Sequence, residues 1–125
     1  EMHNLLIIDE YDFTGASRID RAKIEKIFLY TASHYNVTVC LLQQNFTTIP
    51  PAIRRCSDFW CIWKSCDSTV SRDISAKTSH SFKQLAKTFL RSKYDFITFC
   101  FSQEEYPLRL NFFYPIQGHG SDSDE

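Results

Sequence analysis

The chain has 125 residues, of which 43% are hydrophobic and 15% aromatic, and its net charge is −1. This length suits one domain or part of one, and the apolar content excludes disorder of the whole chain. The uncharged apolar runs are far shorter than the roughly 20 residues that a membrane-spanning helix needs, so no membrane span is predicted. The chain begins with Glu1 and leaves no room for a signal peptide, so we expect an upstream portion to be missing.

The charges are unevenly distributed along the chain. Residues 17–93 hold thirteen Lys and Arg against five Asp and Glu, whereas both ends are acidic. A basic middle would attract a phosphate-bearing partner, although such a stretch can equally be a solvated face. Residues 117–125 are Gly, Ser, His, Gln and acidic residues. They predict a flexible acidic tail after a domain that spans residues 1–116.

Two strands and a helix are predicted first. Residues 5–8 form a continuous apolar run, typical of a strand buried on both faces. Residues 17–36 predict a helix, because Ser17 begins a capping box and apolar residues then recur at helical spacing. Residues 37–43 predict a second buried strand. Two buried strands around one helix predict a βαβ unit with parallel strands and a right-handed crossover.

The middle of the chain predicts one more strand and a loop. Pro50 and the proline after it favour a short helical turn. Residues 58–64 predict a third strand, in which Trp60 and Trp63 point to opposite faces and are both expected in the core. Residues 65–78 are polar and are interpreted as a long loop.

A helix and a hairpin complete the predicted fold. Residues 82–90 have apolar side chains at helical spacing, with Ser79 or Ser81 as the cap. Residues 95–101 and 108–114 predict two strands of an antiparallel hairpin. The order of elements indicates an α/β fold with a mostly parallel sheet and this hairpin at its C-terminal edge.

The cysteines form an odd set, at positions 40, 56, 61, 66 and 100. No C-x-x-C pair is present and the spacing does not suit a zinc site, so we expect free thiols and a reducing compartment. Cys40 and Cys61 are expected to pack inside strands.

Asp9 and Glu10 are the first candidate site residues, because they directly follow the first apolar strand. Ligands of open α/β sheets bind at the carboxyl ends of the strands. Asp9 could hold Mg²⁺ through water, and Glu10 could orient or deprotonate an attacking water. This is the Walker B arrangement of P-loop ATPases, although a strand can also end in an acid that only faces solvent.

Gln44 and Arg54 extend the candidate site. Gln44 ends the next strand and should lie at the same sheet edge, where a carboxamide could contact both a γ-phosphate and a lytic water. Arg54, on the short proline-initiated turn, could reach the γ-phosphate of a neighbouring subunit in a ring. Gln44 and Arg54 could each instead be an ordinary surface residue without a functional role.

Residues 36–46, followed by Ile49-Pro50-Pro51-Ala52-Ile53-Arg54, resemble the segment after Walker B in viral genome-packaging ATPases of the FtsK/HerA superfamily, of the poxvirus type. Residues 94–99 and 108–112 resemble the closing strands of that family. The matching family positions are a strand-terminal Gln, a proline and an Ile-Arg pair, which correspond here to Gln44, Pro50 and Ile53-Arg54.

This resemblance implies a three-layer, RecA-like P-loop core that is incomplete at its N-terminus. It also implies ATP and Mg²⁺ as cofactors, a homo-oligomeric ring, and ATP-driven movement of double-stranded DNA into a capsid. A capsid or portal-like vertex protein would then be a partner. The expected location is the infected host cell, in the nucleus or a cytoplasmic virus factory, or the virion.

The sequence departs from the family in one important respect. The Walker A motif, Gly-x-x-x-x-Gly-Lys-Ser/Thr, is absent. Because Walker A precedes Walker B in such chains, this fits a chain that starts just before Walker B, and we expect these 125 residues alone to be inactive. Gln43 stands where the family has a small hydroxyl residue, a difference that is not expected to affect the mechanism.

Two alternatives stay open. The chain could be a non-enzymatic accessory module that binds DNA or capsid protein. It could also be a fragment of another P-loop ATPase such as a helicase, which would explain Asp9 and Glu10 but not Gln44 and Arg54 together. For DNA binding, Arg72 and Lys77 are the candidates, on the expectation that the loop 65–78 projects towards a central channel.

Overall fold

The computed structural model describes residues 2–64, 68–102 and 107–116, with the side chains of residues 68 and 69 excepted. The chain divides into two compact units, an N-terminal unit (Glu1–Ser57) and a C-terminal unit (Asp58–Glu125). In the described ranges, no helix is both long and apolar enough to cross a membrane. The predicted acidic tail and Cys66 lie outside these ranges.

The N-terminal unit contains a parallel pair of strands, β1 (Asn4–Asp9) and β2 (Val37–Leu42). Asn4 pairs with Val37 and the register continues to Asp9 opposite Leu42. The predicted strands and their parallel direction are therefore confirmed, with the helical segment between them.

The predicted burial of these strands is wrong. The side chains of Leu5, Leu6 and Ile7 are 64%, 38% and 56% exposed, and β2 alternates between half-buried and exposed residues. A continuous apolar run shows that a strand can be buried, but burial depends on what covers it. In the described residues this sheet has two strands, and their apolar faces stay largely open.

The helical segment begins as predicted at Ser17, whose hydroxyl accepts from the backbone N–H of Asp20 at 3.1 Å. It consists of α1 (Arg18–Lys26), a π-helical turn (Ile27–Thr31) and α2 (Ala32–His34). The wider turn lies in the middle of the segment, where a π-bulge rotates the following side chains relative to a regular helix.

Two short helical elements complete the N-terminal unit. A 3₁₀ turn (Phe46–Thr48) precedes α3 (Pro51–Cys56), which starts at a proline as predicted. Helix α3 packs against the π-helical turn. Its Ile53 side chain is only 1% exposed, so this residue anchors the helix.

The C-terminal unit is a four-stranded antiparallel sheet with two helices. Its strands are β3 (Phe59–Trp63), β4 (Phe96–Cys100), β5 (Leu108–Leu110) and β6 (Tyr114–Pro115), and its helices are α4 (Ser68–Thr78) and α5 (Phe82–Phe89). The strands pair in chain order, β3 to β6. The prediction of a mostly parallel sheet is wrong for the described strands, because burial patterns do not report the direction of pairing.

The predicted loop 65–78 is also wrong, since α4 occupies residues 68–78; residues 65–67 are not described. No Gly or Pro interrupts this segment. Val70 and Ile74 lie one turn apart and are 5% and 0% exposed, so the helix buries a narrow apolar stripe. Two apolar residues in a polar stretch gave too weak a pattern to predict it.

The second helix and the hairpin agree better with prediction. Ser81 caps α5, accepting from the backbone N–H of Gln84. Strands β4 and β5 form the predicted antiparallel hairpin. The predicted strand 108–114 is interrupted at Asn111, which has φ 59°, so that β5 and β6 are separate strands.

The predictions of burial for individual residues are partly confirmed and partly wrong. Trp60 is buried as predicted, whereas Trp63 is 48% exposed, so its predicted burial is wrong. Strand β3 has one covered and one open face, and only Trp60 points to the covered one. The described cysteines 40, 56, 61 and 100 are free thiols as predicted, but Cys40 is exposed, because β2 is not covered on that side.

Candidate active site

Glu10 directly follows β1 in a left-handed backbone conformation, with φ 60°. This region costs a non-glycine residue about 1–2 kcal/mol, so the surrounding contacts must hold it. The backbone N–H of Glu10 donates to the carbonyl of Leu42 at 2.8 Å, which continues the pairing of β1 with β2. The side chains of Asp9 and Glu10 are both exposed, as two carboxylates that serve a ligand must be.

Gln43, the residue after β2, binds the residue after Glu10. Its Oε1 accepts from the backbone N–H of Tyr11 at 2.7 Å, and its Nε2 donates to the carbonyl of Tyr11 at 3.0 Å. One side chain therefore satisfies both backbone groups of Tyr11. The Tyr11 ring in turn meets the ring of the buried Phe13 edge-on, with centroids 4.8 Å apart.

Asp12 closes the turn that follows. Its Oδ1 accepts from the hydroxyl of Thr14 and the backbone N–H of Gly15, each at 2.9 Å. The Gly15 amide, followed by the Thr14 hydroxyl, lowers the pKa of the Asp12 carboxyl below its ordinary value. A Cβ at Gly15 would meet the carboxylate of Asp12, so a larger residue here would require the Asp12 side chain to shift.

Gln44 follows the end of β2 by two residues, and Leu42 at that end pairs with Asp9. Its side chain is exposed and is available to a ligand at that edge. Its role as a nucleotide sensor stays a prediction.

Arg54, on α3, contacts Ile49 and Phe46 within the N-terminal unit. Its Nε donates to the carbonyl of Ile49 at 3.1 Å, and its Cζ lies 5.3 Å from the centroid of the Phe46 ring. A guanidinium over an aromatic ring is attracted to the negative face of the ring. Arg54 therefore has a defined direction, whereas its neighbour Arg55 is exposed.

Arg72 and Lys77 lie on α4 and not on a loop, which changes what they can do. The Lys77 ammonium lies 5.2 Å from the centroid of the Trp60 ring and 4.8 Å from that of Phe101. Those two rings meet edge-on, 4.9 Å apart. Both side chains are exposed, but Lys77 lies against an aromatic pair.

The residues at the β1–β2 edge fit a magnesium nucleotide. Among the described residues, no group of three or more His, Cys, Asp and Glu side chains could form a metal site by itself. Mg²⁺ in nucleotide sites needs no such cage, because one or two carboxylates, the phosphates and water complete its shell. The exposed carboxylate of Asp9 could bind such an ion through water, and the carboxylate of Glu10 lies next to it in the chain.

The contact of Gln43 with Tyr11 is the feature that the sequence did not reveal. The consecutive glutamines at positions 43 and 44 were the available signal, since alternation along a strand sends them to opposite sides. The sequence alone does not show which of the two glutamines points towards the residues that follow β1. The structure gives that place to Gln43.

No family model and no curated protein matches the sequence. Among solved structures, the crystal structure of B204, the DNA-packaging ATPase from Sulfolobus Turreted Icosahedral Virus, is similar to this chain with a TM-score of 0.57. The match covers 90% of this chain and 52% of B204, with 21% sequence identity, so the chain spans about half the length of that protein. Over most of its length the chain therefore shares the fold of part of a viral DNA-packaging ATPase.

Proposed function

We propose that this chain is the C-terminal portion of a viral motor ATPase of the FtsK/HerA type that packages double-stranded DNA into a capsid. The main support is the position of Glu10, an exposed carboxylate at the end of a parallel strand, with its backbone held by the neighbouring strand. This chain shares the fold of part of a DNA-packaging ATPase, which supports ATP hydrolysis as the reaction that Glu10 serves. The Walker A motif lies in the preceding part of the protein in this proposal.

Each candidate residue has a separate task in the proposed reaction. Bound Mg·ATP would supply the γ-phosphate for attack by water, with cleavage of the bond between the γ-phosphorus and the bridging oxygen and release of ADP and phosphate. Asp9 binds the metal through water, and Glu10 orients the attacking water and accepts its proton. Gln44 contacts both the γ-phosphate and that water.

Arg54 acts between subunits in this proposal. Its guanidinium meets the γ-phosphate bound by a neighbouring subunit of a homo-oligomeric ring, where it stabilises the charge of the transition state. Double-stranded DNA is the cargo and a capsid or portal-like vertex protein is the docking partner. The site of action is then the infected host cell, in the nucleus or a cytoplasmic factory, or the virion.

The test uses the full-length product of the reading frame that encodes this chain. We expect it to hydrolyse ATP faster in the presence of duplex DNA. Glu10→Gln should reduce turnover to a low residual rate while nucleotide remains bound, since the shape is kept and the charge is lost. Asp9→Ala should instead weaken Mg·ATP binding, measured by calorimetric titration. Glu25→Gln, on α1, serves as the matched control and should hydrolyse ATP at the parent rate.

Two results would contradict the proposal. The first is parent-level hydrolysis by both the Asp9 and the Glu10 variants. The second is a reading frame that encodes no Gly-x-x-x-x-Gly-Lys-Ser/Thr before Glu1, which would favour the non-enzymatic accessory module instead.

A further inference from the structure

We propose that Gln43 is a positioning residue, whose carboxamide fixes the backbone on the far side of Glu10 and thereby aims the Glu10 carboxylate. This inference rests on the proposed function, in which Glu10 activates water. It assigns a mechanistic task to a residue whose hydrogen-bond partner is visible only in the structure.

The Gln43 side chain makes the hydrogen bonds that the backbone of a neighbouring strand would make. The pairing of β1 with β2 ends at Asp9 and Leu42, and the Glu10 amide adds one more bond to the Leu42 carbonyl. Beyond this point the backbones no longer pair. The Gln43 side chain then presents an acceptor and a donor to the N–H and C=O of Tyr11, as the backbone of a neighbouring strand would.

Glu10 is consequently held on both sides. Its own N–H is bound to β2, and the next residue is bound by Gln43. Its backbone has the left-handed φ of 60°, which a glutamate adopts only when the contacts around it require it. Because the direction of Cβ follows from the backbone, releasing Tyr11 would allow Glu10 to relax and its carboxylate to move.

The glutamine carboxamide supplies the acceptor and the donor that bind the N–H and C=O of Tyr11, and the Tyr11 carbonyl also accepts from the backbone N–H of Phe13 at 3.1 Å. Methionine has a similar size but makes neither bond. Glutamate could accept from the Tyr11 N–H but, when ionised, has no proton to donate to the Tyr11 carbonyl. The two substitutions therefore remove both bonds or one of them without a large change in volume.

The experiment measures steady-state ATP hydrolysis by the full-length protein. We expect Gln43→Met to lower kcat about 10- to 100-fold while KM and nucleotide affinity stay within about twofold, because misplacement of a reacting group by about 1 Å has an effect of this size. The kcat of Gln43→Glu should lie between the kcat of Gln43→Met and that of the parent. Gln84→Met, a size-matched change on the exposed face of α5, should keep the parent rate.

A double-substitution cycle shows whether the effect passes through Glu10. In the Glu10→Gln background, adding Gln43→Met should leave the residual rate unchanged, since there is no longer a carboxylate to aim. A further loss of tenfold or more there would show a general structural role and overturn the inference. Circular dichroism verifies folding, and if Gln43→Met does not fold, Gln43→Glu takes its place in the cycle.

Failure of this inference is distinguishable from failure of the proposed function. Parent-level kcat for folded Gln43→Met together with an inactive Glu10→Gln variant would overturn only the positioning role. Parent-level hydrolysis by Glu10→Gln would overturn both.

Discussion

The guanidinium of Arg54 lies over the ring of Phe46, with Cζ 5.3 Å from the ring centroid. Together with the bond from Arg54 Nε to the Ile49 carbonyl, this contact fixes the direction of a side chain that otherwise has many rotamers. An arginine that serves a neighbouring subunit benefits from being held in place before that subunit binds nucleotide.

Replacing Phe46 should therefore weaken catalysis without touching a charged group. If the full-length protein has the proposed ATPase activity, we expect Phe46→Leu to lower its kcat about twofold to thirtyfold, the range that corresponds to a cation–π energy of about 0.5–2 kcal/mol. Phe46→Tyr keeps the ring and should stay near the parent rate. Steady-state kinetics checks this. A Phe46→Leu enzyme with unchanged kcat would show that the stacking has no catalytic consequence.

We expect Arg54→Ala to lower turnover on the order of 10³-fold, which is a larger loss than for Phe46→Leu. Nucleotide affinity should stay similar to that of the parent. Arg55→Ala, on the same helix and exposed, is the control and should have little effect.

Mixing subunits tests whether Arg54 acts across an interface. Rings that combine Arg54→Ala subunits with Glu10→Gln subunits should regain activity, because some interfaces then join an intact carboxylate to an intact arginine. Native mass spectrometry verifies that the rings are mixed. No recovery in such rings would place Arg54 in the site of its own subunit or in none.

DNA binding should depend on Arg72 more than on Lys77, since Lys77 lies against Trp60 and Phe101. We expect Arg72→Ala to weaken duplex binding about equally on unrelated sequences and to reduce the slope of log K against log salt by roughly one. Lys77→Ala should change the slope less. Fluorescence anisotropy at several salt concentrations measures both, and an unchanged slope for Arg72→Ala would exclude a phosphate contact there.

Asp95 should contribute to the acid sensitivity of the C-terminal unit. The Ser92 amide, then the Asn111 side chain and the Arg91 amide, donate to its carboxylate and lower its pKa below the ordinary value. A carboxyl with a lowered pKa in the folded state stabilises the fold above its unfolded pKa of about 3.9, and this contribution disappears as the pH falls through the folded pKa.

Asp95→Asn should consequently make stability less dependent on pH below about pH 4, with lower stability than the parent at pH 7. Urea unfolding of the chain at several pH values, followed by tryptophan fluorescence, measures this. Asp58→Asn, which changes an exposed carboxylate outside the hydrogen bonds to Asp95, is the control for the change in net charge. If Asp95→Asn also follows the parental curve, the hydrogen bonds to Asp95 do not stabilise the fold.

Much of the local structure was determined by the sequence. Strands β1 and β2 follow from short continuous apolar runs, and the Ser17 cap follows from one hydroxyl meeting a nearby backbone amide, which are properties of a few consecutive residues. The positions of Asp9, Glu10 and Gln44 at one sheet edge follow from the parallel pairing of those strands.

Only the tertiary structure decided which faces are covered and which partners the polar side chains have. Alternation places Trp60 and Trp63 on opposite faces of β3 but does not say that only one face meets the helices. Likewise, two adjacent glutamines point apart, but only the path of the chain after β1 brings the Tyr11 backbone to Gln43. A periodic pattern fixes which residues share a side, whereas burial and hydrogen bonding depend on segments far away in the sequence.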